Sequence, residues 1–219
     1  MLPAAGNLFR VSVHCIDHPL AGHLLAGLRN HFTEPAEFRR LAHNLTTVLV
    51  LEATRNVSTT DSLIETPLET ANAKVLGQEL AAVPILRAGL GMLQPVTDLF
   101  PDVAVGYIGL ERNEATAVAS SYYCKLPSLE GKFTILLDPM LATGGSASQA
   151  IDLLKSRGGK KIVMVCIVAS PEGIELLSRN HPDVEIYTSA VDRKLNHKKY
   201  ILPGLGDFGD RLYGTFERK

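Results

Sequence analysis

The sequence predicts an α/β fold in which a mainly parallel central sheet is flanked by helices. From about residue 80 onward, short apolar runs rich in branched residues alternate with stretches of helical periodicity. Strands that are apolar on both faces belong in a parallel sheet covered by helices on two sides. No internal repeat, low-complexity tract or linker divides the 219 residues, so we expect a single domain over residues 1–219.

The composition predicts an ordinary globular protein of a reducing compartment. Hydrophobic residues make up 46% and charged residues 21%, which excludes a largely disordered chain. The formal net charge of -1 gives no global field to attract nucleic acid or an anionic membrane. Cys15, Cys124 and Cys166 form no CxxC pair, and no secretory signal or membrane-spanning run is visible. We therefore expect a cytoplasmic protein that binds neither nucleic acid nor a membrane.

The first part of the chain, residues 17–52, is predicted to form two helices. Asp17 stands before the first as a helix start, and Thr33 is placed to cap the second, with Pro35 in its first turn. Both helices have apolar residues at helical spacing, which could either complete the core or form an interface between subunits. The Thr- and Ser-rich residues 56–72 predict an irregular or extended segment.

The second part, residues 80–215, is predicted to contain the sheet. The expected strands cover residues 81–86, 103–108, 133–137 and 162–168, followed by 184–187. The expected helices cover residues 89–100, 145–157 and 171–180. Residues 116–127 interrupt this alternation and predict an antiparallel excursion or flap. Gly and Pro residues near the C-terminus predict a shaped loop without regular elements.

One strand end has the composition of a phosphate site. Asp138 follows the run 133–137 and precedes a turn of small residues that leads into a helix. Ligands of parallel sheets bind at the carboxyl ends of the strands, and the free amides and dipole of a helix N-terminus attract phosphate. A plain strand–turn–helix connection is the alternative. Neither G-x-x-x-x-G-K-[ST] nor a strand-end G-x-G-x-x-G is present, which excludes a P-loop NTPase and leaves a dinucleotide fold without its fingerprint.

The chain resembles the uracil branch of the type I phosphoribosyltransferase family in four ordered stretches. They are VPILRAGLGM (83–92), ILLDPMLATGGS (135–146), SPEGI (170–174) and YILPGLGDFGDR (200–211). The resemblance extends over about residues 18–215. It implies the type I phosphoribosyltransferase fold, with a small flap or hood of peripheral segments. It also implies transfer of the 5-phosphoribosyl group from phosphoribosyl diphosphate (PRPP) to N1 of uracil, giving UMP and pyrophosphate in pyrimidine salvage.

The resemblance also implies the site residues. For PRPP they are Arg87, Arg112, Asp138, Pro139, Met140, Leu141, Ala142, Thr143, Gly144, Gly145, Ser146 and Asp207. For uracil they are Tyr200, Ile201, Gly206, Asp207 and Phe208, which act largely through backbone groups. Arg87, Asp138 and Asp207 are the implied catalytic residues. Arg87 and Arg112 would meet the pyrophosphate, and Asp138 would face the ribose hydroxyls.

The implied cofactor is Mg²⁺, bound mainly through PRPP or pyrophosphate. Asp138 is followed by Pro139 rather than by a second acid, and the histidines form no ligand cluster, so we expect no protein-bound metal. Relatives imply a homodimer or homotetramer and leave GTP open as an effector. Two departures, Glu111 in place of an aromatic residue and Arg193 in place of an acidic one, affect the expected placement of Arg112 and regulation.

Three alternatives stay open from the sequence. A uracil-nucleotide-sensing regulator of the same fold would need a basic face, for which Arg193, Lys194, Lys198 and Lys199 are the candidates. An inactive relative would retain the fold without the reaction. An enzyme for a purine or orotate would need a different C-terminal loop.

Overall fold

A mainly parallel sheet forms the centre of the molecule, which the computed structural model describes over residues 12–112 and 119–215, without the side chains of 111, 112 and 119–121. The strands are β1 (Val13–Cys15), β2 (Thr59–Glu65), β3 (Thr70–Leu76), β4 (Leu80–Leu86), β5 (Ala104–Val105), β6 (Tyr107–Arg112), β7 (Ala119–Lys125), β8 (Phe133–Leu137), β9 (Met140–Leu141), β10 (Lys161–Ala169), β11 (Glu185–Val191), β12 (Lys194–Leu195) and β13 (Ile201–Leu202). The helices are α1 (Pro19–Arg29), α2 (Pro35–Ala53), α3 (Leu93–Leu99), α4 (Gly145–Ser156), α5 (Pro171–Asn180) and α6 (Phe208–Tyr213).

The strand order of the central sheet confirms the predicted class. It runs β1-β11-β10-β8-β4-β6-β7, with β5 beside β4 and β9 beside β10. Every neighbouring pair is parallel except β6 and β7, which are antiparallel. The antiparallel β7 lies within the excursion predicted for residues 116–127, of which residues 116–118 are outside the described part.

Helices cover both faces of this sheet. One face packs against α1, α2 and α6, and the other packs against α4 and α5. Along β10 the side chains alternate between the two faces, with Val163, Val165 and Ile167 on the first. Because α1 and α2 bury their apolar stripes here, these helices complete the core of their own chain. None of the helices within the described ranges combines the length and apolar composition needed to span a bilayer.

The two predicted helix caps are each one residue away from the observed ones. His18, not Asp17, caps α1, and its Nδ1 accepts a hydrogen bond from the N–H of Leu20 at 3.1 Å. Glu34, not Thr33, precedes α2, while the Thr33 hydroxyl donates to the carbonyl of Gly27 at 2.6 Å. The reason is that a proline begins each helix, so the residue directly before it becomes the cap.

Residues 59–76 form an antiparallel hairpin, called the arm below. Its register runs without interruption from Thr59 opposite Leu76 to Glu65 opposite Thr70. The sequence predicted only an irregular or extended segment here, because strand pairing depends on contacts between the strands. Most arm residues are exposed and none is buried; Leu63 (71%) and Leu68 (96%) are among the exposed ones.

Other elements differ from their predictions for local reasons. The strand predicted over 103–108 is divided into β5 and β6 at Gly106, where a side chain would lie 2.7 Å from Leu126. The helix predicted over 89–100 begins as a 3₁₀ turn, Ala88–Met92, before α3. The C-terminal segment contains β12, β13 and α6, contrary to the predicted absence of regular elements. Asp207 caps α6 by accepting from the N–H of Asp210 at 2.9 Å.

Candidate active site

The segment from Asp138 to Ser146, called the phosphate turn below, lies at the carboxyl end of β8. Gly144 is the N-cap of α4 with φ of 80°, a left-handed conformation that favours glycine. The turn encloses a small pocket of about 40 Å³ lined by Asp138, Met140, Leu141, Ala142, Thr143, Gly144, Ser146 and Ala147. The first amides of α4 lie beside this pocket, so the geometry suits a phosphate group at the helix N-terminus.

Asp138 lies at the tip of β8 and is only partly accessible. Burial raises the pKa of its carboxyl group to about 7, although a hydrogen bond from the N–H of Met140 works in the opposite direction. The carboxylate is therefore close to its midpoint of ionisation at neutral pH. A ligand that donates two hydroxyl hydrogens to it would stabilise the ionised form.

Hydrogen bonds from the N-terminus of α5 hold the phosphate turn in place. The Ser170 hydroxyl donates to the carbonyl of Ala142 at 2.5 Å and accepts from the N–H of Gly173 at 3.0 Å. The N–H of Ser170 also donates to the carbonyl of Leu141 at 2.9 Å. A Cβ on Gly173 would lie 2.5 Å from the Ala142 carbonyl oxygen, so only glycine allows this approach.

The sequence indicated the stretch 170–174 but gave it no role. Ser followed directly by Pro is a signal for a helix N-cap, so the cap itself could have been predicted. Its contact with the phosphate turn depends on the tertiary arrangement of β9, β10 and α5.

Residues 200–207, called the C-terminal loop below, form the second part of the site. The Leu202–Pro203 peptide bond is cis, and Gly204 and Gly206 have φ of 62° and 75°. A Cβ on Gly204 would collide with the carbonyl oxygen of Ile201. The left-handed conformation of the two glycines lets the backbone of the loop turn sharply.

One cleft of about 310 Å³ joins the two parts. It is lined by Ala88, Met140, Ala142, Lys198, Lys199, Tyr200, Ile201, Gly206, Asp207, Phe208 and Gly209. Met140 and Ala142 also line the pocket of the phosphate turn, so the two spaces share a wall. Residues from three of the resembling stretches thus meet at one end of the sheet.

The two arginines predicted to contact pyrophosphate lie at the ends of different strands. Arg87 follows β4, is exposed, and its carbonyl accepts from the Tyr213 hydroxyl at 3.1 Å. It directly precedes Ala88 in the cleft wall. Arg112 ends β6, with its backbone opposite Ala119, and its side chain is outside the described part.

The predicted uracil residues differ in what they expose. Tyr200 is 44% exposed at the cleft, whereas the side chains of Ile201 and Phe208 are buried. The Phe208 ring packs edge-to-face on Phe38, with 5.1 Å between ring centroids. Ile201 and Phe208 nevertheless both line the cleft. The carbonyl of Pro139 accepts from the N–H groups of Ile167 and Val168, so this group binds the turn to β10.

The charges at the cleft have both signs. Lys198, Lys199 and Asp207 all line it. Lys199 has φ of 65°, a left-handed conformation that is unusual for a residue with a side chain. Within residues 12–112 and 119–215, no group of three or more His, Cys, Asp and Glu side chains could hold a metal ion.

Comparisons with known proteins agree with this geometry. The family profile described as uracil phosphoribosyltransferase matches residues 15–215. The chain is 51% identical over 202 residues to the uracil phosphoribosyltransferase of Dictyoglomus turgidum, covering 91% of this chain and 98% of that protein. It is 50% identical over 205 residues to that of Natranaerobius thermophilus, covering 93% and 98%.

Solved structures give the same result for the fold. The AQ2163 protein from Aquifex aeolicus superimposes with a TM-score of 0.90 at 36% identity, covering 94% of this chain and 100% of that chain. A hypoxanthine-guanine phosphoribosyltransferase from Bacillus anthracis, with a TM-score of 0.51 at 14% identity over 72% of this chain and 80% of that one, is similar in fold alone. The fold is that of the type I phosphoribosyltransferases, and the chain belongs to the uracil phosphoribosyltransferase family.

Proposed function

We propose that this protein transfers the 5-phosphoribosyl group of PRPP to N1 of uracil, giving UMP and pyrophosphate in pyrimidine salvage. The observation that carries the proposal is the single cleft in which the phosphate turn, the end of β4 and the C-terminal loop meet. A phosphate site that shares a cleft with the C-terminal loop suits a phosphorylated sugar beside a flat base. Family membership supports the same reaction.

The chemistry explains the residue types around the sugar. Cleavage of the C1–O bond leaves an electron-poor ribose and a pyrophosphate that gains negative charge. In our proposal the amides of residues 143–146 hold the 5-phosphate, and Asp138 accepts hydrogen bonds from the ribose hydroxyls. Pro139, Met140, Leu141 and Ala142 form the rest of the turn. Arg87 and Arg112 contact the pyrophosphate, because a guanidinium group pairs well with several phosphate oxygens.

The C-terminal loop would select the base through its backbone. The carbonyl of Ile201 would accept from N3–H of uracil, and the amides near Gly206 and Phe208 would donate to its carbonyl oxygens. Tyr200 would flank the ring. Cytosine presents the opposite polarity along this edge and would leave buried polar groups unpaired.

The residues of this site suit a Mg²⁺ ion that binds together with PRPP. Two carboxylates, Asp138 and Asp207, line the adjoining pockets, and Mg²⁺ is commonly held by one or two carboxylates together with substrate phosphates and water. We propose that pyrophosphate binds most of the metal and that Asp207 contacts PRPP directly or through it. When bound, the ion neutralises charge on the leaving group.

We further propose a single-domain, cytoplasmic homo-oligomer, either a dimer or a tetramer. The exposed apolar side chains of the arm support association, because an isolated two-stranded hairpin is only marginally stable in water. The three free cysteines are consistent with a reducing compartment. GTP as an effector stays a prediction of the resemblance.

The position of the lysines favours an enzyme over a regulator. Lys198 and Lys199 line the substrate cleft itself, where they can meet the anionic substrate. Arg193 and Lys194 are exposed at the start of the same segment. A regulator that controls RNA or DNA would need these cations for a separate face, so it is an outcome of the test below.

The test is turnover with PRPP, Mg²⁺ and uracil, followed as UMP, with cytosine, orotate and hypoxanthine in parallel. We expect product from uracil alone, and a large loss in the Arg87→Ala and Asp138→Asn variants. Arg40→Ala, which removes only a surface ion pair with Glu37, is the matched control. Product from another base would contradict our assignment of the C-terminal loop. No product from any base, with UMP still raising the melting temperature, would favour the regulator.

A further inference from the structure

We propose that Arg29 and Asp192 position the C-terminal loop for uracil by holding both backbone groups of Gly204. They are positioning residues, since they line neither the cleft nor the pocket of the phosphate turn. The inference rests on the proposed function, and it adds two residues outside the four stretches that carried the resemblance.

The contacts form a closed set of hydrogen bonds. Arg29 at the end of α1 donates from Nη1 to Asp192 Oδ2 at 3.0 Å and from Nη2 to Oδ1 at 2.6 Å. The same Nη1 donates to the carbonyl of Gly204 at 3.0 Å. The N–H of Gly204 donates to Asp192 Oδ2 at 2.9 Å. The donor and the acceptor of one peptide residue are thus both held by a single ion pair.

The ion pair is itself fixed to the sheet. Asp192 directly follows β11, is only 7% exposed, and donates its N–H to the carbonyl of Ala169 at 2.8 Å. Paired arginine and carboxylate groups with two parallel hydrogen bonds have a defined geometry as well as a favourable energy. Gly204 therefore has a fixed position relative to β10 and β11.

Gly204 lies between the groups that we assign to uracil. It is packed against the carbonyl of Ile201 on one side and is two residues before Gly206 on the other. A shift of Gly204 would therefore displace both the acceptor for N3–H and the donors for the base carbonyls. The phosphate turn has separate supports, so PRPP binding should be affected far less.

A second arginine connects the same loop to the same end of α1. Arg211 of α6 donates to the carbonyls of Leu28, Leu205 (2.8 Å) and Asn30 (2.6 Å). Its guanidinium lies 4.3 Å from the centroid of the Phe38 ring. Arg29 therefore holds the loop to α1 at Gly204 and Arg211 holds it at Leu205, so replacing Arg29 does not detach the loop completely.

The test compares the KM values for uracil and PRPP in Arg29→Met, Arg29→Lys and Asp192→Asn. We expect the KM for uracil to rise about tenfold or more in Arg29→Met, because bonds to charged groups are lost, while the KM for PRPP changes by less than about twofold. Arg29→Lys, which cannot form two parallel bonds, should show an intermediate KM. Arg39→Met, which removes a bond to the Leu212 carbonyl at the end of α6, is the control and should change neither KM.

A double variant separates positioning from stability. Arg29→Met with Asp192→Leu removes the buried charge entirely, and such replacements are often neutral or stabilising. We expect its melting temperature to recover while the KM for uracil stays high, since Gly204 still lacks its partners. Recovery of both, or an equal rise of both KM values in the single variants, would overturn the proposal. If Arg29→Met does not fold, Arg29→Lys and the double variant decide. Failure of the wild-type protein to use uracil would instead overturn the proposed function.

Discussion

The phosphate turn and the C-terminal loop lie on the same cleft but are held in different ways. The phosphate turn is held by main-chain bonds to β10 and by Ser170, which is 28 residues from its partner Ala142. The C-terminal loop is held by the charged side chains of Arg29 and Arg211. Arg29 donates to the carbonyl of Gly204, 175 residues away. Arg211 donates to the nearby carbonyl of Leu205 and also to those of Leu28 and Asn30, 183 and 181 residues away.

The difference shows what a local sequence can encode. A phosphate site needs amides at a helix N-terminus and a close approach of backbone, and both follow from small residues between a strand and a helix. A base site must fix donors and acceptors on a flexible loop, which requires bonds from other parts of the fold. Variants that affect only one of the two substrates therefore test the contrast.

The largest expected effect is on the PRPP side and comes from the ionisation of Asp138. Because burial raises the pKa of this carboxyl to about 7, and because the ribose hydroxyls need the carboxylate, kcat/KM for PRPP should fall with decreasing pH. We expect a decrease of about fiftyfold between pH 7 and pH 5, measured with saturating uracil, because the ionised fraction falls from about half to about 1%. The Asp138→Asn variant should lack this dependence, and a flat wild-type profile would contradict the assignment.

The same carboxyl should reduce the stability of the free protein at high pH. Its pKa is higher in the folded than in the unfolded state, so the native state binds the proton more tightly and the free energy of unfolding decreases as pH rises from about 4 to about 7. The stability advantage of Asp138→Asn over wild type should widen by on the order of 2 kcal/mol between pH 5 and pH 8. Urea unfolding at the two pH values measures it, and a constant difference would refute it.

A methyl group at Gly173 should weaken the binding of PRPP but not that of uracil. Its Cβ would lie 2.5 Å from the Ala142 carbonyl oxygen and 2.9 Å from that of Leu141, so the phosphate turn must move. We expect Gly173→Ala to raise the KM for PRPP about tenfold and to leave the KM for uracil nearly unchanged, the reverse of Arg29→Met. Gly22→Ala on α1, where the new methyl meets nothing within 4 Å, is the matched control. Equal changes in both KM values would remove the contrast.

The smallest expected effect is at Lys199, beside the C-terminal loop. Its φ of 65° costs a residue with a side chain about 1 kcal/mol, and glycine avoids this cost. Lys199→Gly should therefore be more stable by up to about 1 kcal/mol in thermal unfolding, less the entropy that glycine adds to the unfolded chain. Lys198→Gly is the control, since Lys198 does not have positive φ. A loss of stability at Lys199 similar to that at Lys198 would contradict the argument.

Elements of the fold could be predicted from the sequence where the signal is local, and were missed where it depends on distant residues or where a glycine suggested a loop. Strand β8 and helix α5 have their predicted boundaries, because one is a short run rich in branched residues and the other begins after a Ser-Pro signal. The pairing of β2 with β3 was missed because register depends on the partner strand. Helix α6 was missed because Gly209 within it suggested a loop, although the Asp207 side chain caps the first turn.

The same distinction between local and distant signals applies to the candidate site. The phosphate turn was predicted from Asp138 and the small residues after it, and the structure gives it the expected strand–turn–helix geometry. Nothing in the local sequence distinguishes Arg29 from any arginine near a helix C-terminus, where a basic residue is common. Its role depends on Asp192 and Gly204, which only the folded chain brings together.

Because these contacts join residues far apart in the sequence, the two parts of the site become able to form at different times during synthesis. Domains can begin folding while the chain is still being made, and contacts between distant residues form late. When Asn180 has left the ribosome, every residue of the phosphate turn and its Ser170 support is present. Asp192, Gly204 and Arg211 have not yet emerged from it. During biosynthesis, then, all residues of the phosphate turn and of its Ser170 support become available for folding before those that hold the C-terminal loop.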